Sequence, residues 1–125
     1  MISRLESLAL QIEQEILTAK SLTVGGRIYK GNTLARNNLY AGLCHAAAAR
    51  VKELAPDLEV TLRSFIVSRK ALFKSGRHTI AEVQTPEGLY HVDPTIKQYL
   101  PGGKLVYGPD EMYPLKIVPG SEYPK

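Results

Sequence analysis

The sequence has a single cysteine among its 125 residues, no long apolar run and no internal repeat. One cysteine excludes an internal disulfide, so the fold depends on its core, and no oxidising compartment is implied. No apolar run reaches the roughly 20 residues that a membrane helix requires. The N-terminal residues mix charged and apolar side chains and lack the apolar segment of a secretory signal peptide. We therefore expect no membrane partner, no signal peptide and activity in a reducing cytoplasm.

Charge and composition exclude several further classes of protein. Sixteen Lys and Arg residues against twelve Asp and Glu residues give a net charge of +4, and 44% of the residues are hydrophobic. This balance excludes a disordered tail, a collagen-like chain and a coiled-coil rod. The basic residues are scattered and no nucleic-acid-binding signature is present, so no specific nucleic-acid partner is expected. The length suits one domain, residues 1–125.

Two segments have helical periodicity. In residues 2–20 apolar side chains recur at steps of three and four, which predicts an amphipathic helix that Ser3 can cap. Glycines then predict a loop over residues 25–38. Residues 39–55 contain four consecutive alanines and predict a second helix, packed closely against its neighbours. Cys44 is expected in or near the first turns of this helix.

The pattern changes to period 2 after the second helix. Residues 58–68, 77–84 and 89–93 alternate or carry β-branched and aromatic side chains, which predicts three strands. The sequence Thr-Pro-Glu-Gly at residues 85–88 predicts a turn between the last two strands. Helices followed by an antiparallel sheet predict an α+β fold.

The register of this hairpin predicts which side chains share a face. If Thr85 faces Gly88 across the turn, side chains alternate between two faces along each strand. His78 and Asp93 then become diagonal neighbours, about 7–8 Å apart at the backbone and within side-chain reach. The predicted polar face contains His78, Ile80, Glu82, Gln84, Leu89, His91 and Asp93, and the predicted apolar face contains Thr79, Ala81, Val83, Tyr90 and Val92.

Cys44, His78 and Asp93 together have the residue types of a thiol catalytic site. A thiol nucleophile needs a base that keeps it as thiolate, and the base needs a carboxylate that orients it. The positive potential at a helix N-terminus lowers the pKa of a thiol further. We therefore predict Cys44 as the nucleophile, His78 as the base and Asp93 as the orienting carboxylate.

Two stretches resemble a known group of enzymes. Residues 38–48, NLYAGLCHAAA, resemble the nucleophile helix of papain-like and transglutaminase-like cysteine enzymes. Residues 78–83, HTIAEV, and 90–99, YHVDPTIKQY, resemble their histidine and aspartate strands. The resemblance covers residues 38–100 and is greatest to compact domains of bacterial toxins and effectors, which act as cysteine proteases or glutamine deamidases.

The resemblance implies a papain-like fold, a protein substrate and amide hydrolysis by Cys44, His78 and Asp93 without a cofactor. It also implies an oxyanion site formed by the backbone N–H of Cys44 and by Asn38, which replaces the family's glutamine with the same type of donor. A toxin or effector domain would be part of a larger protein, would act in the cytoplasm of a target cell after delivery, and would have an immunity or chaperone partner.

Several alternatives remain open at the level of sequence. Cys44 in an alanine-rich helix is also the pattern of a small buried side chain, and the fold could serve as a non-catalytic binding module. An amine in place of water would give a transglutaminase. His91 is expected to pair with Glu82 across the hairpin, and His45 points about 100° away from Cys44 around the helix. The cysteine and histidines lack the close spacing of a metal site, so no metal is predicted.

Overall fold

The computed structural model describes residues 1–30, 43–67 and 77–115, and the backbone of residues 123–124. These residues form an α+β fold, as predicted, with antiparallel strand pairing in both of its sheets. The helices are α1 (Ile2–Ala19) and α2 (Cys44–Leu54), with a short 3₁₀ helix at Ile96–Gln98. The strands are β1 (Ser21–Val24), β2 (Arg27–Lys30), β3 (Glu59–Ile66), β4 (Arg77–Thr85), β5 (Gly88–Val92), β6 (Val106–Tyr107) and β7 (Tyr123–Pro124).

Helix α1 follows its apolar period closely. Leu5, Ile12 and Ile16 are fully buried on one stripe, which is the arrangement that steps of three and four produce. The predicted cap is wrong: Met1 occupies the N-cap position, without a side-chain hydrogen bond. The helix ends at Ala19, and the residue that follows it, Lys20, has a left-handed φ of 55°. Within the described residues, no helix has the length and apolarity to cross a membrane.

A hairpin of β1 and β2 occupies part of the segment predicted as a loop. Gly25 and Gly26 form its turn with φ values of 58° and 79°, and Val24 pairs with Arg27. Two consecutive positive φ values are what a tight two-residue hairpin turn requires, and glycine adopts them without steric cost. The glycine pair therefore marks a hairpin turn, and the rest of the predicted loop, residues 31–38, lies outside the described residues.

Helix α2 begins later than predicted. Cys44 is the first residue of the helix, and Leu43 precedes it with φ −108° and ψ 0°. Leu43 is therefore not helical, although the prediction placed it inside a helix that starts at residue 39. Residues 39–42 lie outside the described part of the chain. Gly42 is a poor helix former and separates the alanine-rich segment from what precedes it. Cys44 thus lies in the first turn of the helix, as expected.

The described strands of the main sheet are ordered β6-β5-β4-β3-β7. Thr85 pairs with Gly88 and Glu82 with His91, so the predicted hairpin register is confirmed from the turn to the Ala81–Val92 pair. The ladder ends there, and Asp93, predicted as the last residue of the strand, follows β5 because its N–H donates to Leu105 instead. One face of the sheet packs against α2, with α1 behind it. All members of the predicted apolar face are buried there: Thr79, Ala81, Val83, Tyr90 and Val92.

The opposite face of the sheet carries a second, smaller apolar cluster. Phe65, Val67 and Ile80 form it, with Tyr99 and Tyr113 packed alongside. His78 pairs with Phe65 across β3 and β4 and therefore points to this side. This cluster excludes water from the end of the hairpin that carries His78.

Candidate active site

The Cys44 side chain lies at the junction between helix α2 and strand β4, partly exposed to solvent. Burial is the largest influence on its thiol and raises the pKa, but a hydrogen bond and the charge of His78 act in the opposite direction. A backbone hydrogen bond from Thr79 adds to the effect of His78, and the net result is a pKa below the ordinary thiol value. A lowered pKa together with partial exposure is the setting of a reactive cysteine.

His78 is fully buried and is held between Cys44 and Asp93. Its Nε2 lies 2.8 Å from Oδ2 of Asp93, so Nδ1 is the ring nitrogen that does not contact the carboxylate. Burial would lower the pKa of this imidazole, but the charge and hydrogen bond of Asp93, with a smaller contribution from Cys44, raise it to about 9. The raised pKa of His78 and the lowered pKa of Cys44 both favour an imidazolium–thiolate pair over two neutral groups.

Asp93 is fully buried where strand β5 ends. Its backbone N–H donates to the carbonyl of Leu105 at 2.8 Å, and Pro94, which cannot donate to a strand ladder, follows it. Oδ2 accepts hydrogen bonds from His78 and, at 2.6 Å, from the phenol of Tyr113. Oδ1 has no hydrogen-bond partner among the described residues. A buried carboxylate needs such donors, since burial without a partner is costly.

Three side chains near His78 were missed by the sequence analysis. The Gln98 amide nitrogen lies 3.5 Å from Nδ1 of His78 and donates to Thr95 Oγ1 at 3.3 Å. The Tyr99 ring packs edge-on against the imidazole, with centroids 5.0 Å apart. Gln98 could have been predicted near the site, because it is a polar residue in the short helix that follows Asp93. Tyr113 lies 20 residues beyond Asp93, and no local pattern connects them.

The other two histidines lie where the sequence predicted. Nε2 of His91 is 3.3 Å from Oε2 of Glu82, and this cross-strand pair is separate from Cys44. His45 is exposed on α2. The candidate oxyanion residue Asn38 lies outside the described residues.

This arrangement brings together a thiol, an imidazole and a carboxylate, which are the groups that nucleophilic attack on a carbonyl requires. No cluster of three or more potential metal ligands occurs within residues 1–30, 43–67 and 77–115. In comparisons with protein-family models, with curated proteins and with solved structures, the chain has no match. The chemistry of the site therefore follows from the geometry of its own residues.

Proposed function

We propose that the chain is a thiol amide hydrolase that acts on a protein substrate, with Cys44 as nucleophile, His78 as acid and base, and Asp93 as the orienting group. The observation that carries this proposal is the fully buried His78, held through Nε2 by Asp93 at 2.8 Å and close enough to Cys44 to lower the pKa of the thiol. A structural cysteine in a core does not need a buried, charged histidine beside it, whereas an activated nucleophile does.

In the first half of the reaction, the Cys44 thiolate attacks the amide carbonyl carbon and forms a C–S bond. The carbonyl π electrons move to oxygen and give a tetrahedral oxyanion. As the oxyanion collapses, the C–N bond breaks and His78 donates its Nδ1 proton to the departing nitrogen. The products of this half are a thioester on Cys44 and a free amine, or ammonia if the amide is a glutamine side chain.

In the second half, water attacks the thioester. His78, now neutral, accepts a proton from the water at Nδ1 while the C–S bond breaks. The carboxylic acid leaves and the thiolate–imidazolium pair is restored. Asp93 keeps the ring oriented and stabilises its charged form throughout, because it remains hydrogen-bonded to Nε2.

The oxyanion needs donors close to the sulfur. Cys44 is the first helical residue of α2, so its backbone N–H has no partner within the helix and is available for an oxyanion. Asn38 keeps its predicted role as the second donor. The Gln98 amide, near Nδ1 of His78, is a further candidate donor of the same chemical type.

The order of elements supports a papain-like arrangement. A helix that begins at the cysteine packs against an antiparallel sheet, one strand of that sheet provides the histidine, and the aspartate directly follows the next strand. This is the arrangement implied by the resemblance to compact toxin and effector domains. The same resemblance supports a larger parent protein, action in the reducing cytoplasm of a target cell, and an immunity or chaperone partner.

The test begins with the thiol, since the chain has one cysteine and alkylation therefore reports on Cys44 alone. The rate of iodoacetamide alkylation is measured against pH for the wild type and for the wild type unfolded in urea. We expect the folded protein to stay reactive at a pH well below that at which the unfolded thiol ionises. Equal profiles for the folded and unfolded chains would contradict an activated nucleophile.

Hydrolysis is tested by incubating the wild type and Cys44→Ala with a reduced cell lysate and analysing the proteins by mass spectrometry. Glutamine converted to glutamate in an intact chain indicates deamidation, and new chain termini indicate proteolysis. Cross-linked glutamine and lysine side chains indicate a transglutaminase. If the wild type and Cys44→Ala give identical lysates, the protein is a binding module and the proposal is wrong.

A further inference from the structure

Tyr113 contacts the candidate site from outside the three predicted residues. Its hydroxyl donates to Oδ2 of Asp93 at 2.6 Å, and the same oxygen accepts the hydrogen bond from His78 at 2.8 Å. Charge-assisted O–H···O⁻ bonds of this length are among the stronger ones in proteins. The Asp93 carboxylate is therefore held by two donors on a single oxygen.

The other carboxylate oxygen gives no such support. Oδ1 of Asp93 is buried and has no hydrogen-bond partner within the described residues. Among these residues, the side-chain hydrogen bonds that hold the carboxylate in its orientation therefore come from Tyr113 and from His78 itself. Without the phenol, the histidine would be the sole donor to the group that is meant to orient it.

The ring of Tyr113 is fixed separately from its hydroxyl. It stacks on His91, with centroids 5.5 Å apart and planes inclined by 23°, and it meets Phe65 and Tyr107 edge-on at 6.2 Å and 5.9 Å. Burial and the neighbouring charge of Asp93 raise the pKa of the phenol, so it remains a proton donor. A rigid ring with a permanent donor is suited to hold a carboxylate in one orientation.

We propose that Tyr113 is a positioning residue, which fixes the Asp93 carboxylate against Nε2 of His78 through its hydroxyl. The inference rests on the proposed function for its catalytic meaning, because positioning matters only if His78 transfers protons. The geometric part, a phenol that controls the interaction of Asp93 with His78, stands on the described contacts alone.

The experiment uses Tyr113→Phe, which keeps the ring and removes only the hydroxyl. Tyr107→Phe is the matched control, since the Tyr107 hydroxyl accepts from the backbone N–H of Lys104 at 3.0 Å and is not hydrogen-bonded to Asp93. The His78 ring is titrated by NMR in the full chain. The polar and titratable groups that face this ring are Asp93, Cys44, Tyr99 and Gln98, beside the apolar ring of Phe65. The titration is therefore repeated in a Cys44→Ala background, which removes the thiol.

We expect the pKa of His78 to fall by about half a pH unit or more in Tyr113→Phe, because a loosened carboxylate stabilises the imidazolium less. The shift should persist in the Cys44→Ala background and be absent from Tyr107→Phe. In the amide hydrolysis assay, Tyr113→Phe should lower kcat about tenfold and leave KM unchanged, since Tyr113 is not proposed to touch the substrate.

Two results would overturn the inference: an unchanged pKa, which would make Tyr113 a packing residue, or a raised pKa, which would mean that the phenol weakens the effect of Asp93. The proposed function fails in a different way. If the wild type hydrolyses no amide, the NMR shift is still measurable in both backgrounds. If the shift is absent, hydrolysis by Cys44 can still be observed.

Discussion

Two histidine–carboxylate pairs lie on the same face of the β4–β5 hairpin, and they differ in their surroundings. His78 and Asp93 are fully buried with 2.8 Å between the paired atoms, whereas the side chains of His91 and Glu82 are 23% and 12% exposed and 3.3 Å apart. The sequence predicts both pairs from the same period-2 pattern, although the ladder between the two strands ends at Ala81–Val92 and only Glu82 and His91 pair within it. The sequence alone therefore does not distinguish them by residue type, spacing or face.

The two pairs also differ in the third side chain beside them, which is Cys44 for the buried pair and Arg63 for the other. His78 lies beside the Cys44 thiol and lowers its pKa, whereas Glu82 accepts a hydrogen bond from Arg63 at 2.7 Å. Hydrogen bonding from His91 is the main cause of the lowered pKa of Glu82, with Arg63 contributing. The charge of His78 is stabilised beside a thiol in the interior, whereas the charge of Glu82 is stabilised by Arg63 and His91 in a partly exposed cluster that water screens more. Burial beside a thiol distinguishes a candidate site from a structural contact.

The largest expected difference between the pairs is in catalysis. His78→Gln should reduce amide hydrolysis by about 10⁴-fold or more, because the thiolate loses its partner and the leaving group its proton donor. Alkylation of Cys44 at pH 7 should slow by about 30-fold or more, since an ordinary thiol is only a few per cent ionised at that pH. Both rates are measured in His91→Gln as the matched control and should stay near those of the wild type. Loss of thiol reactivity in His91→Gln but not in His78→Gln would reverse the assignment.

Replacing the carboxylates should also affect hydrolysis more in the buried pair than in the partly exposed pair, but by less than replacing the histidines. Asp93→Asn removes the charge that raises the pKa of His78 and should slow hydrolysis by about 10²-fold or more, though less than His78→Gln does. Glu82→Gln breaks a partly exposed cluster and should cost at most about 1 kcal/mol in the free energy of unfolding, with hydrolysis unchanged. Urea denaturation and the mass-spectrometric assay measure the two effects. Similar losses of hydrolysis in both variants would show that the pairs are equivalent.

The smallest effect is a pH dependence of stability that belongs to the buried pair. The pKa of His78 is raised from 6.5 to about 9 in the folded protein, so its contribution is fully present below pH 6.5 and is lost as the pH rises through about 9. The lowered pKa of Cys44 works in the opposite sense, since it stabilises the fold at high pH and less as the pH falls. Cys44→Ala therefore isolates the histidine.

In Cys44→Ala we expect the free energy of unfolding to fall by on the order of 2 kcal/mol between pH 6.5 and 9. Urea denaturation at a series of pH values measures it. The double variant Cys44→Ala with His78→Gln is the control and should lack most of this slope. A slope that survives in the double variant would assign the pH dependence to another group.

Much of the fold could be predicted because the relevant patterns are local. The period of α1, the three long strands and the Thr85–Gly88 register follow from side-chain alternation and from turn chemistry, which act over a few residues. The β1–β2 hairpin was missed because its strands have four residues each, too few for a period to emerge. The start of α2 was misplaced because its N-cap Leu43 makes no side-chain hydrogen bond, and therefore has no capping signature in the sequence.

For the candidate site, the sequence alone predicted that Cys44 lies near the start of a helix and that His78 and Asp93 come close together on one hairpin. Only the tertiary structure decided that the helix brings the thiol to His78, that the Phe65 cluster buries the pair, and that Tyr113 reaches Asp93. The physical reason is the distance along the chain over which each interaction acts. Alternation within a hairpin is fixed by backbone geometry, whereas burial and the partners of a charged group depend on elements that are distant along the chain and meet only when the core packs.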